Sequence, residues 1–91
     1  MNDINDELTI KKAYDNACAA LNASRCLSDT AEQLMFVEIH QQLFKKVGGD
    51  KTLMQEWFHY AHQYLDDSPA TLCREEKGLL LVAQYLNSIS H

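Results

Sequence analysis

The sequence predicts an all-α fold, a compact bundle of about five helices of which four are long and one is short. Apolar residues recur at spacings of three and four along most of the chain, as they do on one face of a helix. Helix-breaking residues are rare, with one Pro and three Gly in 91 residues. We therefore expect one domain over residues 1–91, with an N-terminal helix within residues 1–27 and the other helices within residues 28–91.

The first two helices are predicted over residues 6–22 and 29–47. Ser28 is the expected N-cap of the second, because a serine hydroxyl can accept from the free amides of the first turn. Apolar residues occupy more than half of the second helix's circumference, so we expect it to be buried on more than one side or covered by a second copy of the chain. A homodimer is the expected assembly.

A third helix, continuing to Leu65, is predicted at the centre of the core. Asp50 is its expected N-cap, and the preceding Gly48-Gly49 can end the second helix in a left-handed conformation. The apolar stripe of the third helix includes Trp57, the only tryptophan, which we expect to be buried. The full stripe comprises Leu53, Met54, Trp57, Phe58, Ala61, Tyr64 and Leu65.

The last two helices are marked by strong local signals. Ser68 is the expected N-cap and Pro69 the first residue of a short helix that reaches about residue 73. Glu75-Glu76 then opens a final helix. Gly78 lies inside that helix at a cost of about 1 kcal/mol relative to alanine. It therefore predicts a close approach of another backbone, for which the third helix is the expected partner.

Charge and hydropathy limit the classes of function. The net charge is −5 and no segment is basic, so the chain is not expected to bind nucleic acid by itself. The region 6–45 still allows a remnant helix-turn-helix, which leaves a small DNA-associated regulator as an alternative, with a phage as one source. No apolar run is long enough to span a membrane, and the acidic N-terminus does not resemble a signal peptide. A cytoplasmic location is therefore expected.

Residues that could carry chemistry are few, and we expect neither an enzyme nor a cofactor. His59 and His62 would be neighbours on the third helix, yet two ligands do not make a metal site. Cysteines 18, 26 and 73 form an odd set without a CxxC pair, which favours buried, reduced thiols.

An ordered series of residues between 25 and 91 resembles the toxin-binding antitoxins of the Xre/MbcA/ParS type. The matching segments are Arg25-Cys-Leu27-Ser28, Gly49-Asp50, Glu56-Trp57-Phe58, Leu65, Ser68-Pro69 and the spacing of Gly78, Val82, Tyr85, Leu86 and Ile89. Two departures stand out, since His62 lies where the family often has Asn and Asp66-Asp67 replaces a usual Gly-Gly. The helix-turn-helix common in the family looks shortened or absent here.

This resemblance implies an all-helical, often dimeric antitoxin that is not catalytic and covers the active-site cleft of a RES-domain toxin, an enzyme that degrades NAD. It implies that the C-terminal helix and tail enter the toxin; their candidate contacts here are Asn87, Ser88, Ser90 and His91. These four residues could equally be an ordinary solvated helix end. The residues assigned to the fold are Trp57, Phe58, Leu65, Pro69, Gly78 and Leu86. A further alternative is an oligomeric scaffold that shares only the fold.

Overall fold

Five helices make up the computed structural model, which describes the backbone of residues 3–89 and the side chains of residues 8–89. They are α1 (Asp3–Leu21), α2 (Thr30–Lys46), α3 (Lys51–His59), α4 (Pro69–Leu72) and α5 (Glu76–Ile89). Within the described part no strand occurs, although an isolated antiparallel bridge joins His62 to Asp67. The all-α prediction is confirmed.

The core is built where α1, α2 and α3 meet. The ring of Tyr14 on α1 packs edge-on against Phe36 on α2 with centroids 5.4 Å apart, and Phe36 packs in the same way against Phe58 on α3 at 5.7 Å. The Tyr14 hydroxyl also accepts a 3.0 Å hydrogen bond from the Leu27 amide. This bond ties the segment between α1 and α2 to the aromatic core.

The boundary signals around α2 and α3 act largely as predicted. Asp29, one residue after the predicted Ser28, is the N-cap of α2 and accepts from the Glu32 amide. A carboxylate can make this bond as well as a hydroxyl can, and local sequence does not choose between adjacent capping residues. Gly48 has φ +64° just after the end of α2, and Asp50 caps α3, both as expected.

The third helix is much shorter than predicted, because α3 ends at His59. The His62 imidazole lies 2.9 Å from the Trp57 carbonyl, which would otherwise accept from a backbone amide of the next helical turn. The chain then turns back, so that Leu65 is buried whereas Tyr64 is 84% exposed. The prediction of a continuous stripe to Leu65 is therefore wrong.

The C-terminal helices begin as predicted, but the packing partner of Gly78 is different. Ser68 accepts from the Thr71 amide and Pro69 is the first residue of α4. A Cβ added to Gly78 would lie 1.7 Å from the Leu72 carbonyl oxygen. The close approach therefore exists, and its partner is α4 rather than the third helix.

The residues assigned to the fold occupy two environments. Phe58, Leu65, Pro69, Gly78 and Leu86 are buried. Trp57 is half-buried and packs against the edge of the core, because the inward face of α3 is occupied by Met54 and Phe58. The indole, which was expected in the core, thus packs against the core from its edge.

Candidate functional site

The C-terminal end of α5 carries the residues predicted to contact a partner. Asn87 and Ser88 are exposed, and the Ser88 hydroxyl donates a 2.9 Å hydrogen bond to the Tyr85 carbonyl. The other two predicted contacts, Ser90 and His91, lie outside the described residues. Both described candidates are therefore accessible to another protein.

Asn87 and Ser88 lie on different faces of α5. Asn87 and Ile89 line a groove of about 610 Å³ with Gln42, Lys45 and Lys46 at the end of α2. The Gln42 side-chain oxygen is buried and has no hydrogen-bond partner among the described residues. This face thus offers two cations beside Asn87, and the unpaired Gln42 oxygen lies beneath it.

The Ser88 face of α5 leads to a cluster of aromatic side chains. Ser88 follows Tyr85 by three residues, so the two are neighbours on the helix surface. The Tyr85 ring stacks on Trp57 with centroids 6.1 Å apart and planes 16° apart, and its centroid lies 5.8 Å from that of His62. Tyr64 adds a further ring, its centroid 6.1 Å from that of Tyr85.

The sequence prediction did not identify this aromatic surface. Residues 57–64 hold more aromatic side chains than one inward face of a helix can bury, and that excess was the available signal. Tyr60 is 71% exposed and extends the cluster, since its ring centroid lies 6.1 Å from that of His62.

The histidines considered as metal ligands have separate structural roles. The His59 Nε2 atom lies 2.8 Å from the Leu21 carbonyl oxygen, and His62 Nε2 pairs with the Trp57 carbonyl. Since a carbonyl only accepts, both Nε2 atoms serve as donors in these bonds. His62 lies beyond the end of α3, so the two rings are not helix neighbours. Among residues 3–89, no group of three or more His, Cys, Asp or Glu is placed to hold a metal ion.

Two of the three cysteines are buried and one is not. Burial raises the pKa of the Cys73 thiol to about 12 and also raises the pKa of Cys18. Both therefore carry the neutral thiol, which is a poor nucleophile, near neutral pH. Cys26 is exposed, so the expectation that all three are buried is wrong for this residue.

The α1–α2 region does not present the geometry of a DNA-reading motif. Residues 22–29 connect the two helices, whereas a helix-turn-helix uses a turn of about three or four residues. The exposed positions of α2 include Leu34, Glu38, Gln41 and Phe44, and its two lysines, Lys45 and Lys46, lie only in the last turn, so the helix has no extended basic face for phosphates. We therefore assign no DNA-reading role to α2.

No helix in the described part of the chain is both long and apolar enough to cross a membrane. Among curated proteins, none matches the chain. A family model does match, over residues 41–91 and thus more than half of the chain; it describes the antitoxin Xre/MbcA/ParS C-terminal toxin-binding domain. The match begins within α2 and includes α3, α4 and α5, so it takes in the aromatic surface and the exposed end of α5. The resemblance found in the sequence is confirmed, and the chain belongs to the family of Xre/MbcA/ParS antitoxins that carry this toxin-binding domain.

Proposed function

We propose that this chain neutralises a RES-domain toxin, an NAD-degrading enzyme of the cytoplasm, by covering its active site with the C-terminal end of α5. The observation that supports the proposal most strongly is the family match over residues 41–91, which implies a toxin as protein partner. The chain itself is proposed to be non-catalytic. Its contribution is to occupy the cleft through which the toxin's substrate enters.

The exposed end of α5 supports this mode of inhibition. Asn87 and Ser88 present an amide and a hydroxyl to solvent, and these groups can pair with polar groups that line an enzyme cleft. Leu86, one residue earlier, is fully buried and anchors the end of the helix in the core. A contact segment on a fixed helix loses less conformational entropy on binding than a free peptide does.

Co-expression tests the proposal directly. A RES-domain protein encoded beside this chain should arrest growth alone, and co-expression of the antitoxin should restore growth and stop NAD loss. Removal of residues 87–91 should abolish the rescue while the chain stays helical by circular dichroism; the melting temperature should fall slightly, because Ile89 packs against the core. If the truncated chain rescues growth fully, inhibition through the tail is wrong. If the full chain neither binds the toxin nor restores growth, the proposed function itself is wrong.

We also propose that residues 28–91 form the toxin-binding unit within one domain and that the protein acts as a homodimer. Leu34 is 41% exposed and Phe44 is 49% exposed, and both lie on α2. Apolar side chains on one helix are suited to a partner subunit. Light scattering should give twice the monomer mass, and Phe44→Ser should reduce it toward that of a monomer.

A further inference from the structure

A groove of about 680 Å³ lies along the outer face of α3 and has no role in the tail mechanism. Leu53, Trp57 and Tyr60 line it at positions i, i+4 and i+7, together with Val47. Leu53 is 48% exposed and Tyr60 is 71% exposed, although the opposite face of α3 is already buried in the core. A short helix that is apolar on both faces leaves one of them for another molecule.

The aromatic wall of this groove is fixed before any partner arrives. Trp57 is held between Tyr85, on which its ring stacks, and His62, whose ring centroid lies 4.5 Å away. The His59 bond to the Leu21 carbonyl ties the end of α3 to the end of α1. Fixed aromatic side chains bind with little loss of conformational entropy, and Trp and Tyr are enriched among the residues that dominate interface energies.

The groove adjoins the proposed contact face of α5 through the stacked rings of Trp57 and Tyr85. Tyr85 contacts Trp57 on one side and lies between Leu81 and Ser88 on the helix surface, at spacings of four and three residues. Leu81 is 50% exposed. A partner that follows the Ser88 face away from the end of α5 therefore reaches the groove without crossing a charged region of that face.

The charge of the groove limits what can fill it. Glu56 is the only carboxylate among the lining residues, which include no lysine or arginine, and the whole chain carries a net charge of −5. A second copy that met this face across a two-fold axis would bring its own Glu56 to the same small surface, which like-charge repulsion disfavours. A fitting partner carries aliphatic side chains with a Lys or Arg beside them.

We propose that the α3 groove is a second contact surface for the toxin and takes an amphipathic helix whose apolar side chains pack on Leu53, Trp57 and Tyr60 while a basic residue pairs with Glu56. This inference rests on the proposed function, since it takes the toxin as the partner. It differs from that function in placing part of the binding energy far from the tail.

Binding of the separately purified, inactivated RES-domain protein tests the inference through matched variants. Leu53→Ser and Tyr60→Ala should each raise the Kd by about tenfold. Leu8→Ser, a similar change at a 56% exposed leucine of α1, should leave the Kd unchanged. Glu56→Lys should weaken binding by about tenfold at low salt and by less at high salt. Glu75→Lys, which makes the same change in charge at an exposed position before α5, should leave the Kd unchanged.

Trp57 provides a second measurement, which reports on the groove without a substitution in its lining. Because it is the only tryptophan, 5-fluorotryptophan labelling of the antitoxin gives one ¹⁹F resonance from the groove wall. That resonance should shift when unlabelled toxin is added, and it should still shift with a chain lacking residues 87–91 at saturating toxin. If the full chain binds and inhibits the toxin while the resonance stays in place and the Leu53→Ser chain binds normally, the groove proposal is overturned and the tail mechanism stands. If the full chain does not bind the toxin, both are overturned.

Discussion

Replacement of Gly78 by alanine should destabilise the fold strongly, although alanine is the better helix former. The added Cβ would lie 1.7 Å from the Leu72 carbonyl oxygen and 2.4 Å from its carbon. A carbon and a carbonyl oxygen in contact are normally separated by about 3.3 Å. Because the obstructing atoms are backbone, no side-chain rotation relieves the clash. The α4 and α5 backbones must therefore move apart by more than about 1.5 Å at this point.

The expected loss of folding stability is the difference between two opposing free energies. Alanine gains about 1 kcal/mol over glycine in helix propensity. Forcing apart a close-packed contact costs about 1–3 kcal/mol when side chains can adjust, and more when backbone must move. Since backbone must move, the cost is at least about 3 kcal/mol, and we expect a net loss of at least about 2 kcal/mol, against a total stability of about 5–15 kcal/mol for a domain of this kind. The melting temperature should fall by at least about 8 °C.

Urea unfolding followed by far-ultraviolet circular dichroism measures this loss. Gly48→Ala is the matched control, because Gly48 has φ +64° but nothing within 4 Å of an added Cβ. The free energy of unfolding of this variant should fall by only about 1–2 kcal/mol, the cost of placing an alanine in the left-handed conformation. If Gly78→Ala loses no more than Gly48→Ala, the argument from the α4–α5 contact is refuted.

Three further predictions concern single groups. Tyr14→Phe removes the acceptor of the buried Leu27 amide and should cost about 1–3 kcal/mol, which an unchanged urea midpoint would contradict. Burial raises the pKa of the Cys73 thiol from 9.0 to about 12, so the unfolded chain ionises first and stability should fall as pH rises through that range. Urea midpoints should fall less steeply with pH in Cys73→Ala. Asp66→Gly should raise stability by about 0.5 kcal/mol because Asp66 has φ +65°, whereas Asp67→Gly should lower it.

Much of the fold could be predicted because its boundaries depend on local chemistry. Asp50 and Ser68 supply oxygens to amides three residues ahead, and Pro69 needs no amide partner at the first position of a helix. Gly78 indicated a close contact because its cost in a helix needs a compensating reason. Its partner could not be predicted, since the position of α4 beside α5 depends on how the whole chain packs.

The end of α3 could not be predicted because tertiary contacts determine it. The spacing of Phe58, Ala61 and Leu65 continues a helical pattern, and no Gly or Pro interrupts it. The folded chain instead satisfies the Trp57 carbonyl with the His62 imidazole and buries Leu65 after a turn. Hydrophobic periodicity alone does not distinguish these two ways of burying the same leucine.

The early end of α3 and the aromatic surface have one cause. In a continuous third helix, Tyr64 would lie one turn after Tyr60 and would extend the apolar stripe along the helix axis. In that helix His62 could not reach back to the Trp57 carbonyl. The turn after His59 instead places His62 against the Trp57 ring and Tyr64 beside Tyr85. Local propensity and tertiary structure disagree most at segments that serve a binding surface. At the exposed residues between His59 and Tyr64 we therefore expect changes of sequence to alter partner binding more than stability, whereas Phe58, which is fully buried, serves the core.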